Sequence, residues 1–234
     1  MFHLEAGAVH IWRIPHKQEE GVIRLLWRTL APDEQDRAER FRFVRHRSAF
    51  IVRRGALRAI LAGYTGLAAA ALRFVTGASG KPALAAHVHP SRTEPVRFNL
   101  SHSQDCAVCA VSCSEVGVDI ERVRPLDDCD ALSRQVFCPQ ERAELHSLAP
   151  DRRQQGFFRC WTRKEALLKG IGIGLNAPLN EVDASPDSVE HPDCTGMART
   201  WMLQDIPTFP DYAAAVAVSG RLDRLFSRAW FASS

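Results

Sequence analysis

Val116-Gly-Val-Asp-Ile-Glu121 is an apolar run that carries two carboxylates, Asp119 and Glu121, at alternate positions. The alternation predicts a β-strand, on which side chains two residues apart share one face. A strand with one polar face in water would show the same pattern. Gly117 argues against that simpler interpretation, because a glycine inside a strand often marks the close approach of another backbone. We therefore expect this strand to present both acids to a neighbouring element.

A second run, Trp161-Thr-Arg-Lys-Glu-Ala-Leu-Leu-Lys169, predicts a helix with Glu165 and Lys169 on one face, because residues four apart are neighbours on a helix surface. Alone, such a pair is usually an exposed ion pair that adds about 0.3–0.5 kcal/mol. Trp161 lies one turn before Glu165, however, and indicates a partly buried carboxylate. A buried carboxylate is seldom left unpaired.

The two runs together supply three carboxylates, Asp119, Glu121 and Glu165, with Lys169 close by. Mg²⁺ takes oxygen ligands and is usually held by one or two carboxylates plus substrate phosphates. A lysine binds phosphate as a point charge. The pattern therefore predicts phosphate chemistry at a metal ion, not hydride transfer or thiol chemistry.

Length and charge restrict the class of protein. The chain has 234 residues, 46% of them hydrophobic, which fits one large or two small globular domains with a substantial core. The formal net charge of +3 is too small to indicate nucleic-acid binding. It suits an anionic small molecule or an acidic protein partner. Eight arginines lie between residues 37 and 58, and we expect one or two of them to be functional.

The seven cysteines are an odd number without the spacing of a disulfide framework, which indicates free thiols and a reducing compartment. Cys106 and Cys109 lie in a predicted buried strand with their thiols on opposite faces. They are poor joint zinc ligands and are expected to act as small core residues. No signal peptide or membrane span is predicted. We expect a cytoplasmic protein with neither nucleic acid nor membrane as a partner.

Hydrophobic periodicity, prolines and glycines predict a mixed order of strands and helices. Strands are expected at 8–14, 72–76, 96–100, 106–112, 116–123, 200–204 and 212–219, and helices from Pro32, over 47–61, from Pro139 and over 152–169. Gly63 and Gly170 are predicted to end two of these helices. Turns or loops are expected at 77–82, 85–95, 101–105 and 184–195.

Two segments of the chain recur in the same order. Val52-Arg-Arg-Gly-Ala-Leu57 is echoed by Thr162-Arg-Lys-Glu-Ala-Leu167, and Cys106-Ala-Val-Cys-Ala-Val-Ser112 by Ala213-Ala-Ala-Val-Ala-Val-Ser219. Each echo is weak alone, because alanine-rich matches arise by chance, but two in register favour a duplicated α+β unit. We predict halves at 1–115 and 116–234, with the active site at their junction.

The sequence resembles the 4′-phosphopantetheinyl transferases of the surfactin-synthetase-activating type. The specific matches are Gly117-Val-Asp-Ile-Glu121 and the run from Trp161 to Lys169, and the supporting ones are Gly80-Lys-Pro82 and Asn99-Leu-Ser-His102. The resemblance covers roughly residues 30–180. It implies an α+β fold of two similar halves in pseudo-twofold arrangement, each a small antiparallel sheet packed with helices.

The resemblance also implies an activity and its partners. Enzymes of this family transfer the 4′-phosphopantetheine group of coenzyme A to a serine of an apo acyl or peptidyl carrier protein. The reaction depends on Mg²⁺ and releases adenosine 3′,5′-bisphosphate. Because one chain holds both halves, we expect a monomer.

Roles for individual residues follow from the same resemblance. Asp119, Glu121 and Glu165 would hold Mg²⁺, and Glu165 would also be the base for the carrier serine, directly or through a water. Lys169 and His102 would hold phosphate oxygens. The remaining coenzyme A contacts would come from Arg37, Arg54, Gly80, Lys81 and Ser101, with the two arginines and Lys81 as candidates for the 3′-phosphate.

Two other interpretations of the same residues stay open. One is a different Mg²⁺-dependent phosphate-transfer enzyme that ignores carrier proteins. The other is a non-catalytic module that binds coenzyme A or a carrier protein without turnover. The presence of all three carboxylates together with Lys169 argues against the second.

Overall fold

A computed structural model describes residues 1–77, 80–85, 95–173, 178–192 and 195–232. The strands are β1 Ala8–Pro15, β2 Phe74–Thr76, β3 Pro82–Leu84, β4 Arg97–Ser103, β5 Cys106–Ser112, β6 Val116–Arg122, β7 Ser188–Pro192, β8 Ala198–Asp205, β9 Tyr212–Ser219 and β10 Arg224–Ala229. The α-helices are α1 Glu20–Trp27, α2 Pro32–Glu39, α3 Val44–Thr65, α4 Cys129–Val136, α5 Pro139–Ser147 and α6 Pro150–Ile171.

Two four-stranded sheets form the framework. The first has the strand order β10-β1-β5-β4, and the second has the order β6-β9-β8-β7. The strands of the second sheet pair antiparallel throughout. In the first sheet β1, β5 and β4 are antiparallel, whereas β10 runs parallel to β1. β2 and β3 form a separate antiparallel pair.

The two sheets repeat one unit. In β1–α3–β4–β5 and in β6–α6–β8–β9, the first strand pairs with the last, and the last pairs with the one before it. The echoed segments lie on α3 and α6, and on β5 and β9. This arrangement confirms the predicted α+β fold with two similar halves. The division at residue 115 stays a prediction, and β10, from the second half, completes the first sheet.

The core is layered by the alternation of side chains along each strand. Cys109 and Val111 of β5 pack with α3, whereas Cys106 and Val108 pack between the sheets against β6 and β9. The two thiols therefore face opposite sides, as predicted. α6 covers the outer face of the second sheet, so the order of layers is α3, first sheet, second sheet, α6.

Each half contains a buried ion pair whose carboxylate lies in the first turn of a short helix. Glu34 is the third residue of α2, and its carboxylate accepts the Ala31 amide and binds the buried Arg58 at 2.6 Å. Glu141 is the third residue of α5, and its carboxylate accepts the Cys138 amide and binds Lys164 at 2.6 Å. The side chains of Lys164 and Glu141 are both fully buried. These pairs tie the short helices to the long ones.

The predicted ends of two helices are wrong. α3 continues through Gly63 and α6 through Gly170, and they end at the left-handed glycines Gly66 (φ 73°) and Gly172 (φ 83°). A Cβ on Gly63 would lie 2.4 Å from the ring of Phe2, and one on Gly170 would lie 2.7 Å from a tryptophan ring of β8. Both glycines therefore serve packing and do not end their helices.

Three other expectations about local structure need correction. Residues 101–103 continue β4 and do not begin the predicted turn, which shrinks to Gln104 and Asp105. The predicted loop 184–195 contains strand β7, and the sequence did not predict α1, α4 or β10. Most of the predicted loop 85–95, with His87 and His89, lies outside the described residues. No helix in the described ranges has the length and apolarity that a membrane crossing requires.

Candidate active site at the junction of the two sheets

The predicted acidic strand lies directly against the predicted catalytic helix. Asp119 and Glu121 share the face of β6 that carries Gly117, and this face meets α6. A Cβ on Gly117 would lie 2.0 Å from the carbonyl oxygen of Ala166 and 2.2 Å from the amide nitrogen of Gly170. Only a glycine fits this contact. The predicted close approach of another backbone at Gly117 is confirmed.

Gly117→Ala is expected to destabilise the protein by about 1–3 kcal/mol, because both atoms that meet the new methyl group belong to the backbone of α6. Thermal unfolding would show this as a loss of about 2–4 °C for each kcal/mol in a chain of this size. Gly21→Ala in α1 is the matched control, since its Cβ meets nothing within 4 Å. An unchanged midpoint for Gly117→Ala would contradict this account of the glycine.

β4 supplies the hydroxyl groups that hold the acids. The Oγ atom of Ser101 donates to Oδ1 of Asp119 at 2.7 Å, and the Oγ atom of Ser103 donates to Oε2 of Glu121 at 2.8 Å. Lys169 donates from Nζ to the same Asp119 oxygen at 2.5 Å and to Ser101 at 3.1 Å. The site therefore joins strands of both sheets with α6.

The carboxylates carry more negative charge than their surroundings compensate. Asp119 is 2% exposed and Glu165 is 8% exposed. Oδ2 of Asp119 and Oε1 of Glu165 are buried and have no hydrogen-bond partner among the described residues. Burial, and then the charge of Asp119, raise the pKa of Glu165 to about 7. Burial also raises the pKa of Asp119 and of Glu121, although Lys169 and the serines oppose it.

The raised pKa of Glu165 predicts a pH-dependent effect of Glu165→Gln on stability. Between pH 4.5 and about 7, the Glu165 carboxyl stays protonated in the folded state but is ionised in the unfolded chain. The stability that the protonated Glu165 contributes is therefore fully present below pH 4.5 and is lost as the pH rises through about 7. Without divalent ions, Glu165→Gln should therefore be more stable than the parent at pH 8. At about 1.36 kcal/mol per pKa unit the gain is about 3 kcal/mol.

Urea unfolding at pH 5 and pH 8 in EDTA would measure this difference. Glu144→Gln makes the same change on an exposed face of α5 and should show no such pH dependence. Equal effects of Glu165→Gln at the two pH values would show that Glu165 is ionised throughout and that the assigned pKa is wrong.

The donor set fits a hard divalent cation. Three carboxylates supply oxygen ligands, and two of them have buried oxygens without a partner in the part of the chain that the structure describes, as a cation site would require. Among the described residues, Cys138, Glu141 and Asp183 are the only trio whose ligand atoms all lie within 4.8 Å of one another. Glu141 is already occupied there by Lys164 and by two backbone amides. The ligand oxygens of Asp119, Glu121 and Glu165 do not all lie within 4.8 Å of one another, so a cation would have to draw these side chains together. The three acids stay the predicted metal ligands.

Two neighbouring histidines, His102 and His16, extend the site beyond Lys169. His102 lies on β4, and partial burial, followed by the charges of Arg53 and Lys169, lowers its pKa to about 4. His16, just after β1, lies beside it with 6.4 Å between the ring centroids.

Three predicted coenzyme A contacts already have partners. Arg54 pairs with Glu34 and lies over the ring of Phe74 at 4.2 Å. Lys81 binds Glu115 at 2.9 Å and the carbonyl oxygen of Gly170 at 2.8 Å. Ser101, as described above, donates to Asp119. Their predicted roles in coenzyme A binding stay predictions.

Two other predicted coenzyme A contacts, Arg37 and Gly80, are exposed. Arg37 is exposed and lies over the ring of Phe50 at 5.3 Å. Gly80 has a φ of 83° in the turn before β3, with open space around its Cβ direction. The structure thus brings Asp119, Glu121, Glu165, Lys169, Ser101 and His102 together, whereas Lys81 binds Glu115 and the carbonyl oxygen of Gly170, the residue after Lys169.

Three residues at the site, Ser103, Arg53 and His16, were not predicted from the sequence. Ser103 follows the recognised Ser101-His102 pair by alternation and could have been found from the strand period. Arg53 precedes Arg54, and only its position on the helix distinguishes the two. Nothing in the sequence near His16 indicates its contact with Gln104, which lies far away in the chain.

The comparisons with known proteins agree on one family. Residues 115–217 match the model of the 4′-phosphopantetheinyl transferase superfamily, and residues 12–114 match a 4′-phosphopantetheinyl transferase N-terminal model. The 4′-phosphopantetheinyl transferase HetI of Nostoc sp. is 41% identical over 218 residues, which are 93% of this chain and 90% of that protein.

Two further matches are more distant. A putative 4′-phosphopantetheinyl transferase of Synechocystis sp. is 33% identical over 186 residues, which are 78% of this chain and 74% of that protein. The crystal structure of Thermotoga maritima holo-[acyl-carrier-protein] synthase matches with a TM-score of 0.32 and 17% identity, over 46% of this chain and 64% of that one.

Proposed function

The chain belongs to the 4′-phosphopantetheinyl transferase superfamily, and we propose that it transfers the 4′-phosphopantetheine group of coenzyme A to a serine of an apo acyl or peptidyl carrier protein. The observation that carries the proposal is the group of Asp119, Glu121 and Glu165, whose charges act on one another, with Lys169 bonded to Asp119. Two carboxylate oxygens in this group are buried without a partner within the described ranges.

Asp119, Glu121 and Glu165 would hold Mg²⁺. When bound, the ion would neutralise charge on the pyrophosphate of coenzyme A as the leaving group departs. The residues themselves position the reactants, and positioning with charge neutralisation supplies most of the catalysis in phosphoryl-type transfers. The serines of β4 keep Asp119 and Glu121 oriented toward α6.

In the proposed reaction the oxygen of the carrier serine attacks the phosphorus that bears the pantetheine arm. The bond from this phosphorus to the bridging oxygen breaks, and adenosine 3′,5′-bisphosphate leaves. Glu165 would take the serine proton as general base, directly or through a water. Lys169, which is within 2.5 Å of Asp119, would donate to a phosphate oxygen.

The remaining expectations belong to the same proposal. We propose a cytoplasmic monomer in which residues 1–115 contribute the basic helices and residues 116–234 contribute the carboxylates and α6. The site at the junction of the two sheets needs side chains from both halves. A sedimentation mass at twice the chain weight would overturn the monomer.

Intact-protein mass spectrometry of an apo carrier protein tests the reaction. The carrier is incubated with the parent chain, coenzyme A and Mg²⁺, with EDTA in a parallel sample. A phosphopantetheine mass gain that EDTA abolishes supports both the transfer and the metal requirement. No gain with carriers of the fatty-acid, polyketide and peptide classes, although coenzyme A binds, would favour a non-catalytic binding module and overturn the proposed transfer.

A further inference from the structure

Lys169 is bonded to one of the acids that the proposed transfer assigns to a metal ion. Its Nζ atom donates to Oδ1 of Asp119 at 2.5 Å and to the hydroxyl oxygen of Ser101 at 3.1 Å. The same Oδ1 atom accepts the Ser101 hydroxyl at 2.7 Å, whereas Oδ2 has no hydrogen-bond partner among the described residues. The side chain of Asp119 is only 3% exposed, so water screens this ion pair little. Lys169 is therefore the counter-ion of Asp119 in this structure.

The proposed transfer gives the ammonium of Lys169 a different ligand, a phosphate oxygen of coenzyme A. A charge that a carboxylate already neutralises attracts a phosphate less than a free charge does. The side chain of lysine is a flexible four-carbon stem with three donors at its end. That of Lys169 is 31% exposed. It can therefore turn from Asp119 toward an anion that arrives from solvent.

The positions of the acids show why a metal ion would compete with Lys169. The ligand oxygens of Asp119, Glu121 and Glu165 do not all lie within 4.8 Å of one another, so shared coordination requires these side chains to move. The bonds from Ser101 and Lys169 both end on Oδ1 of Asp119, and a shift of this carboxylate stretches them. A divalent cation beside the same buried carboxylate also repels the ammonium. Metal binding and the Lys169–Asp119 bond therefore oppose each other.

We propose that Lys169 is an exchangeable counter-ion, which pairs with Asp119 until a divalent cation binds at the acids and then moves to a phosphate of coenzyme A. The inference rests on the proposed transfer and adds a coupling between its two ligands. The metal releases Lys169 for the phosphate, and the phosphate keeps Lys169 away from the metal site. Because such coupling is reciprocal, each ligand strengthens binding of the other by the same factor.

Calorimetric titration of Lys169→Met with Mg²⁺ tests the exchange, first without coenzyme A. The variant has no ammonium to displace, so it should bind Mg²⁺ about 10- to 100-fold more tightly than the parent, the usual contribution of a charged hydrogen bond. The titration is made at pH 8, above the raised pKa of Glu165 of about 7, so that protons compete less with the metal. Saturating coenzyme A should remove this advantage, because the phosphate then holds Lys169 of the parent.

Arg124→Gln is the matched control for charge without contact. Arg124 is exposed and its charge acts on Glu121, but it makes no hydrogen bond or ion pair with the acids in the part of the chain that the structure describes. Its removal should change the Mg²⁺ affinity less than about fivefold, and equally with and without coenzyme A. Tightening by Lys169→Met that coenzyme A leaves unchanged would be repulsion at a distance and would overturn the exchange. No tightening at all would also overturn it.

Thermal unfolding shows whether Lys169→Met is folded, and Lys169→Ala takes its place if it is not. Carrier modification by the parent is measured in parallel. If the parent modifies the carrier but Lys169→Met binds Mg²⁺ no more tightly, the exchange is wrong and the transfer stands. If the parent modifies no carrier, the proposed function fails, and the two titrations still decide the exchange. A parent that binds no Mg²⁺ with or without coenzyme A overturns both the exchange and the metal requirement.

Discussion

Glu165→Gln is expected to reduce kcat for carrier modification about 100- to 10,000-fold, the usual contribution of a positioned general base. The substitution removes the charge with almost no change of volume, so the packing of α6 on β6 is retained. It also removes one candidate metal ligand. Carrier modification followed by mass spectrometry at saturating Mg²⁺ gives kcat, and calorimetry of Mg²⁺ binding gives the change in metal affinity.

These two measurements separate the two roles of Glu165. A loss of turnover that persists at saturating Mg²⁺ supports the role as base, whereas a loss that more Mg²⁺ restores assigns Glu165 to metal binding alone. Glu144→Gln, the same chemical change at an exposed position, should retain the parent rate. Turnover at the parent rate by Glu165→Gln would remove the residue from the mechanism.

Lys164→Ala is expected to cost about 3–5 kcal/mol of folding free energy, because it leaves Glu141 as a buried carboxylate without its ion-pair partner. The ammonium also donates to the carbonyl oxygens of Val136 at 2.9 Å and Leu179 at 2.6 Å, which would lose a buried donor. Urea unfolding measures the loss. Lys17→Ala, at an exposed lysine, should stay within about 0.5 kcal/mol of the parent.

A double-mutant cycle identifies the cause of this loss. Combining Lys164→Met with Glu141→Gln removes both charges and keeps similar volumes, so the pair of substitutions should cost less than the sum of the single ones. Additive losses would mean that the ion pair between α5 and α6 contributes no coupling. The amide of Ala184, which donates to Glu141 at 3.0 Å, retains an acceptor in the double variant.

The sequence predicted best what depends on local alternation. The period of two in 116–121 placed Asp119 and Glu121 on one face, and the period of four placed Glu165 and Lys169 on another. Gly117 indicated that a second backbone would come close, and α6 does. These features are predictable because the spacing of neighbouring residues is itself the geometric information.

Features that depend on distant partners were not predictable in the same way. Glycine is typical of helix ends, yet Gly63 and Gly170 lie inside their helices. At each position an aromatic ring from another part of the chain packs where a Cβ would lie. Arg53 and Arg54 are adjacent and chemically identical, and only the position of Glu34 decides which of them forms an ion pair. Lysine is usually exposed, and only the ion pair with Glu141, which is distant in the sequence, explains why Lys164 is buried.

The parallel pairing of β10 with β1 has a consequence for synthesis of the protein. β1 and β5 are made early, but the outer edge of β1 finds its partner only after β6, α6 and β9 have been made. Until then, unpaired backbone groups along β1 are open to strands of other chains. A nascent or truncated chain without residues 224–229 therefore carries an aggregation hazard that the complete first sheet removes.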